Sequence, residues 1–161
     1  MKDRYMEYLV HDKDNICGFF EEYRWLSNFH EGVHVIFEGK AYPTVEHAYQ
    51  AAKYPQEYRS KFCDPLNPIT AFEAKKLGNK RDIPEFDVGD WDDYKLEVMK
   101  ICCFSKFYRD EELRGKLLAT GDRYLEETNH WNDCYWGKCH NLGANHLGVL
   151  LMKIRSFWKV D

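Results

Sequence analysis

Long apolar runs are missing from this 161-residue chain. None approaches the ~20 residues that a bilayer-crossing helix needs. The opening stretch, MKDRYMEYLVHDKDN, lacks the uninterrupted apolar core of a signal peptide, so a cytoplasmic protein with no membrane partner is expected. Among six cysteines there is no Cys-x-x-Cys pair. Cys134, Cys139, His140 and His146 have the spacing C-x4-C-H-x5-H, which matches no common zinc pattern, so no metal is expected. Reduced thiols are the simpler reading, and the adjacent Cys102 and Cys103 read as small buried hydrophobes in a helix. An excess of basic charge is also absent. The net charge is −4 with scattered Lys and Arg, which argues against a broad nucleic-acid surface but allows one nucleotide in a pocket. Internal repeats, low-complexity tracts and Gly/Ser linkers are absent too.

What is present suits a soluble, ordered globular chain. Hydrophobic residues make up 44% and charged residues 31%, and the length suggests one domain with a hydrophobic core of its own. Aromatics reach 16%, enough for some rings to line a site. Val33, Val35 and Phe37 alternate with His34, Ile36 and Glu38, and Glu38-Gly39-Lys40 closes the run, a strand and a turn. Thr44 suits a helix N-cap, and that helix is expected to run to Tyr54, before Pro55. A short helix is expected over Ile69 to Leu77, with Gly78 as its stop. Residues 80–90 read as a loop, and Asp90 as the cap of a long helix from Trp91 to Tyr108 with Leu96, Met99, Cys103 and Phe107 on one face. Asp110 caps a helix carrying Leu113, Leu117 and Leu118, and residues 122–128 read as extended. The last helix places Leu147, Leu150, Leu151, Ile154 and Trp158 on a core-facing stripe. The expected class is α+β, mainly helical, a compact single domain with a small β-sheet. Residues 1–16 are expected to be an N-terminal extension to a domain over 17–161.

Three stretches carry candidate chemistry. In PTVEHAYQAAKY, Glu46, Gln50 and Lys53 fall at i, i+4 and i+7, on one stripe of the helix. Glu46 sits in the first turn, where the helix dipole favours a carboxylate. Lys53 lies about 10 Å further along the axis, and helical side chains lean back toward the N-terminus. The opposite side would hold Val45, Ala48, Tyr49 and Ala52. The stripe reads either as an ordinary solvated face or as a pocket floor. The second stretch, NHWNDCYWGKCHNLGANHLG, holds Asp133, Trp136, Gly137, Asn141, Gly143 and Asn145 ahead of a helix. It reads as turn-and-cap chemistry, or as backbone N–H groups aimed at an anion such as phosphate. The third, YRWLSNFH, reads as a loop holding Arg24, Ser27 and Asn28.

These stretches belong to an ordered set. WLSNF, GKAYPTVEHAYQAAK, a tryptophan ahead of VMKICCFSKF, LLATGDRYLEET, DCYWG and NHLGVLLMKIR together resemble the YbiA-like, or NADAR, family over about residues 19–155. Members of that family are N-glycosidases with a compact, mostly helical fold. The resemblance implies cleavage of a C1–N bond at a ribose bearing a phosphate or pyrophosphate, with no cofactor. One branch of the family hydrolyses ribosylamino-pyrimidine intermediates of riboflavin biosynthesis and releases ribose 5-phosphate. Another removes ADP-ribose from guanine bases, which makes nucleic acid a partner only as a modified substrate. A non-catalytic module binding ADP-ribose or a nucleotide is the reading from a different class, and the joint presence of acid and amine disfavours it.

Residue by residue, Glu46 and Lys53 match the E-H-x-x-Q-A-x-K helix, and Trp91 matches the tryptophan opening the long helix. Asp133 and Trp136 match D-x-x-W-G, and Asn145 and Arg155 match the N-x-L-G-x-x-L-M-x-x-R ending. Glu126 corresponds to an acid ahead of Asp133, across the longer spacer EETNHWND. The implied catalytic set is Glu46, Lys53 and Asp133. Arg24, Ser27, Asn28, Gln50, Trp91, Glu126, Trp136, Gly137 and Asn145 are the implied substrate-binding set. A carboxyl group can protonate the leaving nitrogen while a second stabilises the sugar cation. Alternatively, Lys53 can attack an opened sugar at C1 and form a Schiff base. A tryptophan can stack on the base, and Arg24 and the Asn-rich loop can hold phosphate. Two departures stand out: KCHNLGAN follows Trp136-Gly137 where relatives carry more glycines, and His146 stands where arginine is common.

Overall fold

The computed structural model describes residues 8–80 and 91–159. Its first elements are β1 (Val10–His11), β2 (Asn15–Cys17), a 3-10 segment (Glu21–Leu26), β3 (Val35–Phe37), β4 (Lys40–Tyr42) and α1 (Val45–Ala51). A second 3-10 segment (Gln56–Phe62), α2 (Ala71–Lys80), α3 (Trp91–Arg109) and α4 (Glu111–Ala119) follow. The chain continues through β5 (Tyr124–Glu126), β6 (Thr128–Asn129), β7 (Lys138–Cys139) and α5 (His146–Trp158). Helix outweighs strand, as the α+β, mainly helical class requires. The strands form three short ladders, β1-β2-β5, β3-β4 and β6-β7. The Asp90 cap and residues 81–90 of the expected loop lie outside the described residues. No helix among the described residues is long and apolar enough to cross a membrane.

By its internal contacts the chain divides into two compact units. The first comprises the residues up to Ser27 together with those from Glu111 onward. There β2 lies between antiparallel β1 and parallel β5, and the central pair Ile16 and Leu125 is fully buried. Helix α5 covers β5 and also packs on α4. Its stripe of Leu147, Leu150, Leu151 and Ile154 is buried as expected, and Trp158 is half-buried. The segment expected to be a loop at residues 23–30 begins as a 3-10 segment that buries Trp25 and Leu26.

The second unit is Asn28–Asp110. The hairpin β3-β4 turns through Glu38 and Gly39, both at positive φ (46° and 76°), the left-handed pair that a two-residue hairpin turn requires. Helix α1 packs against α2 and α3, and β3 packs on α3. In α3 the buried stripe follows Trp91, Val98, Cys102 and Lys106, with Met99, Cys103 and Phe107 beside it. That line turns Leu96, expected in the core, to the edge, where it is exposed. Cys102 and Cys103 are buried as expected, and burial pushes the Cys103 thiol up to about 12.

Two helix boundaries differ from the sequence reading, each for a local reason. Helix α1 stops at Ala51 rather than Tyr54. Lys53 and Tyr54 bond three residues back, to the carbonyls of Gln50 and Ala51, because Pro55 bars the helical conformation at the residue before it. Helix α2 starts at Ala71 and runs through Gly78 to Lys80. Gly78 is therefore not a stop. A Cβ there would stand 2.0 Å from Gln50 Oε1, so the glycine permits a close approach of α1 to α2.

Candidate active site

All seven residues of α1 are buried, so the stripe carrying Glu46 and Gln50 is no solvated face. Its N-terminus is pinned by short polar contacts. Thr44 Oγ1 accepts the His47 backbone N–H at 3.2 Å and lies 2.8 Å from His47 Nδ1. His47 Nε2 lies 2.8 Å from the Ile69 carbonyl, which can only accept, so the ring carries its proton on Nε2. Burial holds His47 below its ordinary pKa, so the neutral imidazole ties α1 to the segment ahead of α2. The Asn28 carbonyl accepts the Glu46 backbone N–H at 3.1 Å, a donor with no partner inside the helix.

Within this pinned frame the acid and the amine are each held. Gln50 Nε2 donates to Glu46 Oε1 at 2.7 Å, and the two side chains are only 3% and 6% exposed. The other end of the amide, Gln50 Oε1, is buried without a hydrogen-bond partner in the protein. Lys53 is 7% exposed, and its Nζ donates to Asn79 Oδ1 at 3.2 Å. The same Nζ lies 5.4 Å from the centre of the Tyr49 ring and 5.8 Å from that of Trp91, within cation–π range of both. Those rings meet each other at 5.1 Å. Tyr49, expected on the opposite side of the helix, thus belongs with Lys53. The two are four residues apart, the spacing that puts side chains on the same helix face.

Several residues of the implied binding set serve the fold. Asn28 Nδ2 donates to Met99 Sδ at 3.4 Å, and its Oδ1 accepts from Cys103 Sγ at 3.8 Å. In the other unit, Ser27 is buried and its N–H closes the 3-10 segment on the Arg24 carbonyl, while Arg24 itself is exposed. Glu126 is buried on β5, accepts from Thr128 Oγ1 at 2.9 Å and pairs with Lys138 Nζ at 3.3 Å. The Tyr124 hydroxyl and the Glu126 carboxylate hold the Lys138 ammonium pKa above its ordinary value. Burial, aided by Glu126, pushes the neighbouring Cys17 thiol up to about 11.

Asp133 Oδ1 accepts the backbone N–H groups of Tyr135 and Trp136, at 3.2 and 2.8 Å, and so shapes the turn that carries Trp136. A Cβ on Gly137 would meet the Glu127 carbonyl at 2.0 Å, so this glycine lets two backbones touch. Of the two readings of residues 129–148, turn-and-cap chemistry describes the start of α5. The N–H groups of Asn145, His146 and Leu147 are taken by the carbonyls of Gly137, Tyr135 and Trp136, at 3.2, 3.1 and 3.0 Å. Those donors at the start of α5 are therefore closed to a phosphate. Asn145, 1% exposed, spends its side chain on Glu127 N, Leu125 O and the Tyr124 hydroxyl. Arg155 is likewise buried, donating to Thr120 Oγ1 and to the Arg123 carbonyl at 2.8 and 2.9 Å.

Two contributors escaped the sequence reading. Asn79 accepts from Lys53, and Gly78 bears on Gln50. The signal for both was the Gly-Asn pair in KKLGNK, which reads as a helix stop when tertiary neighbours are unknown.

Known proteins share this chain's sequence pattern and fold. The NADAR domain family matches residues 11–158. The N-glycosidase YbiA of Escherichia coli K12 is 36% identical over 149 residues, 89% of each chain. A riboflavin biosynthesis protein of Vibrio vulnificus is 33% identical over 137 residues, 84% of this chain but 36% of that longer one. The NMR structure of the E. coli protein YbiA superposes with a TM-score of 0.76 at 31% identity, covering 95% of this chain and 89% of that one.

Proposed function

The chain belongs to the NADAR family, and from that premise we propose that it is an N-glycosidase acting on a phosphorylated ribosylamine, with Glu46 and Lys53 as its working groups. The observation that carries this reading is the α1 cluster: a buried acid gripped by an amide, and a buried amine held over two rings. A core has no use for an ionisable acid and an amine two turns apart, and burying either costs free energy unless it is held.

In the proposed reaction the glycosylamine opens at its ring oxygen, and the Lys53 amine adds to C1. The leaving amine departs with a proton supplied by Glu46, which leaves a lysine imine of the sugar. Water adds to that imine, Glu46 takes a proton back, and ribose 5-phosphate leaves as the aldehyde while the amine is regenerated. Trp91 and Tyr49, tilted 55° to one another, put two apolar rings beside the amine, where either could meet the base. Two names among the relatives, N-glycosidase and riboflavin biosynthesis protein, favour a ribosylamino-pyrimidine as the substrate. Asp133, also expected to be catalytic, shapes the Trp136 turn, and no step of this scheme is assigned to it.

The test is turnover. Ribosylamino-pyrimidine 5′-phosphate should yield ribose 5-phosphate, and Glu46→Gln should stay folded and be nearly inactive. Borohydride with substrate should leave a reduced sugar adduct on Lys53. If only ADP-ribosylated guanosine is cleaved, the bond type stands and the substrate class is wrong. Full activity of Glu46→Gln removes the acid from the mechanism.

A further inference from the structure

Neighbouring positions near the end of α2 bear on both working groups, and we infer that Gly78 and Asn79 are positioning residues, Gly78 for Glu46 through Gln50 and Asn79 for Lys53. The inference rests on the proposed roles of Glu46 and Lys53. Its first support is the Gln50 amide. A carboxylate oxygen accepts only, so the NH2 end must face Glu46 Oε1, and the carbonyl end is left buried and unpaired. Such an orphan destabilises the fold. A leucine or methionine at position 50 would avoid that cost, so the amide's retained contribution is the donor on Glu46.

Gly78 is what allows the amide to lie this way. A Cβ at position 78 would stand 2.0 Å from Gln50 Oε1 and 2.8 Å from its Cβ and Cδ. Only hydrogen leaves room for the carbonyl end, so any side chain there drives the amide off its line to Glu46. One residue further on, Asn79 supplies a neutral acceptor to Lys53 Nζ at 3.2 Å. The amide oxygen orients the amine without adding a charge of its own.

The experiment is a double-mutant cycle of Gly78→Ala with Gln50→Ala, read as kcat and KM on ribosylamino-pyrimidine 5′-phosphate beside urea unfolding. Gly78→Ala should lower kcat roughly tenfold with KM little changed, and should cost less than about twofold once Gln50 is already alanine. Equal losses in both backgrounds, or a loss confined to KM, overturn the inference. Gln50→Met serves if the glycine variant does not fold. It should be at least as stable as the parent yet lose kcat, and full activity would overturn the assignment. Asn79→Ala should lose roughly tenfold in kcat and in borohydride trapping at Lys53, while Asn79→Asp, which keeps an acceptor, should recover part of the trapping. Equal trapping in all three overturns the Asn79 arm. A wild-type protein that turns over no glycosylamine, or an active Glu46→Gln, sinks the parent reading and this inference with it. An inactive Glu46→Gln beside an additive cycle sinks this inference alone.

Discussion

Replacing Asn145 by alanine and by glycine decides whether the Asn-x-Leu-Gly ending is a clasp within the fold or a contact for substrate. The Asn145 side chain makes three hydrogen bonds, accepting from Glu127 N at 3.0 Å and donating to Leu125 O at 2.9 Å and to the Tyr124 hydroxyl at 3.1 Å. At about 0.5–1.5 kcal/mol net for each, their loss costs roughly 1.5–4.5 kcal/mol. The residue also sits at φ 52° and ψ 41°, the left-handed region, where alanine is worse than glycine by about 1–2 kcal/mol. Alanine should therefore destabilise by roughly 3–6 kcal/mol. Glycine keeps the turn but adds freedom to the unfolded chain, and should cost roughly 2–5 kcal/mol. Against a total stability of about 5–15 kcal/mol, either is a large share. Urea unfolding at 20 °C measures both, and KM in the folded fraction reports on substrate. A glycine variant within about 0.5 kcal/mol of wild type, with KM raised, would refute the clasp and restore Asn145 to the substrate.

Two further outcomes follow from burial. Burial holds the His47 pKa below its ordinary 6.5, so below pH 6.5 the unfolded chain takes up a proton that the folded chain refuses. Stability is therefore full above pH 6.5 and falls as pH drops toward the folded-state pKa, by at most about 1.4 kcal/mol per pH unit. His47→Gln should lose that slope, so the stability gap between the two proteins narrows from pH 7.5 to pH 5.5; parallel urea-derived curves would refute the neutral pin. Iodoacetamide at pH 8 should alkylate the exposed Cys134 well before Cys102 or Cys103, which are buried with thiols held above their ordinary range. Equal labelling of all three by peptide mass mapping would contradict the packing of α3.

Elements whose signals are local were legible in the chain. The Glu38-Gly39 turn, the Thr44 cap and the leucine stripe of α5 each follow from side chains a few residues apart, and each lies where those side chains put it. What failed was the reading of residues whose partners are distant in sequence. Gly78 looks like a helix stop until Gln50, in another helix, is seen against it. The 129–148 stretch looks like an anion cradle until the carbonyls of Tyr135, Trp136 and Gly137 are found on its donors. Glycines and amides before a helix have the same composition in both cases. Only the fold decides whether their hydrogen bonds point inward or out.

The same distinction sorts the family motifs into groups that act and groups that hold. In E-H-x-x-Q-A-x-K the histidine is spent on Thr44 and Ile69 and the glutamine on Glu46, and the proposed reaction draws on the acid and the lysine. In N-x-L-G-x-x-L-M-x-x-R the asparagine, the glycine and the arginine all fasten α5 to the strand β5 and to the turn before it. A Cβ on Gly148 would meet the Leu125 carbonyl at 2.1 Å, so even this glycine marks a backbone contact. Motif residues therefore divide by where their polar atoms are satisfied. Those with every polar atom paired inside the fold report on stability when changed. Under the proposed reaction, changes at Glu46 and Lys53 should instead show in the rate.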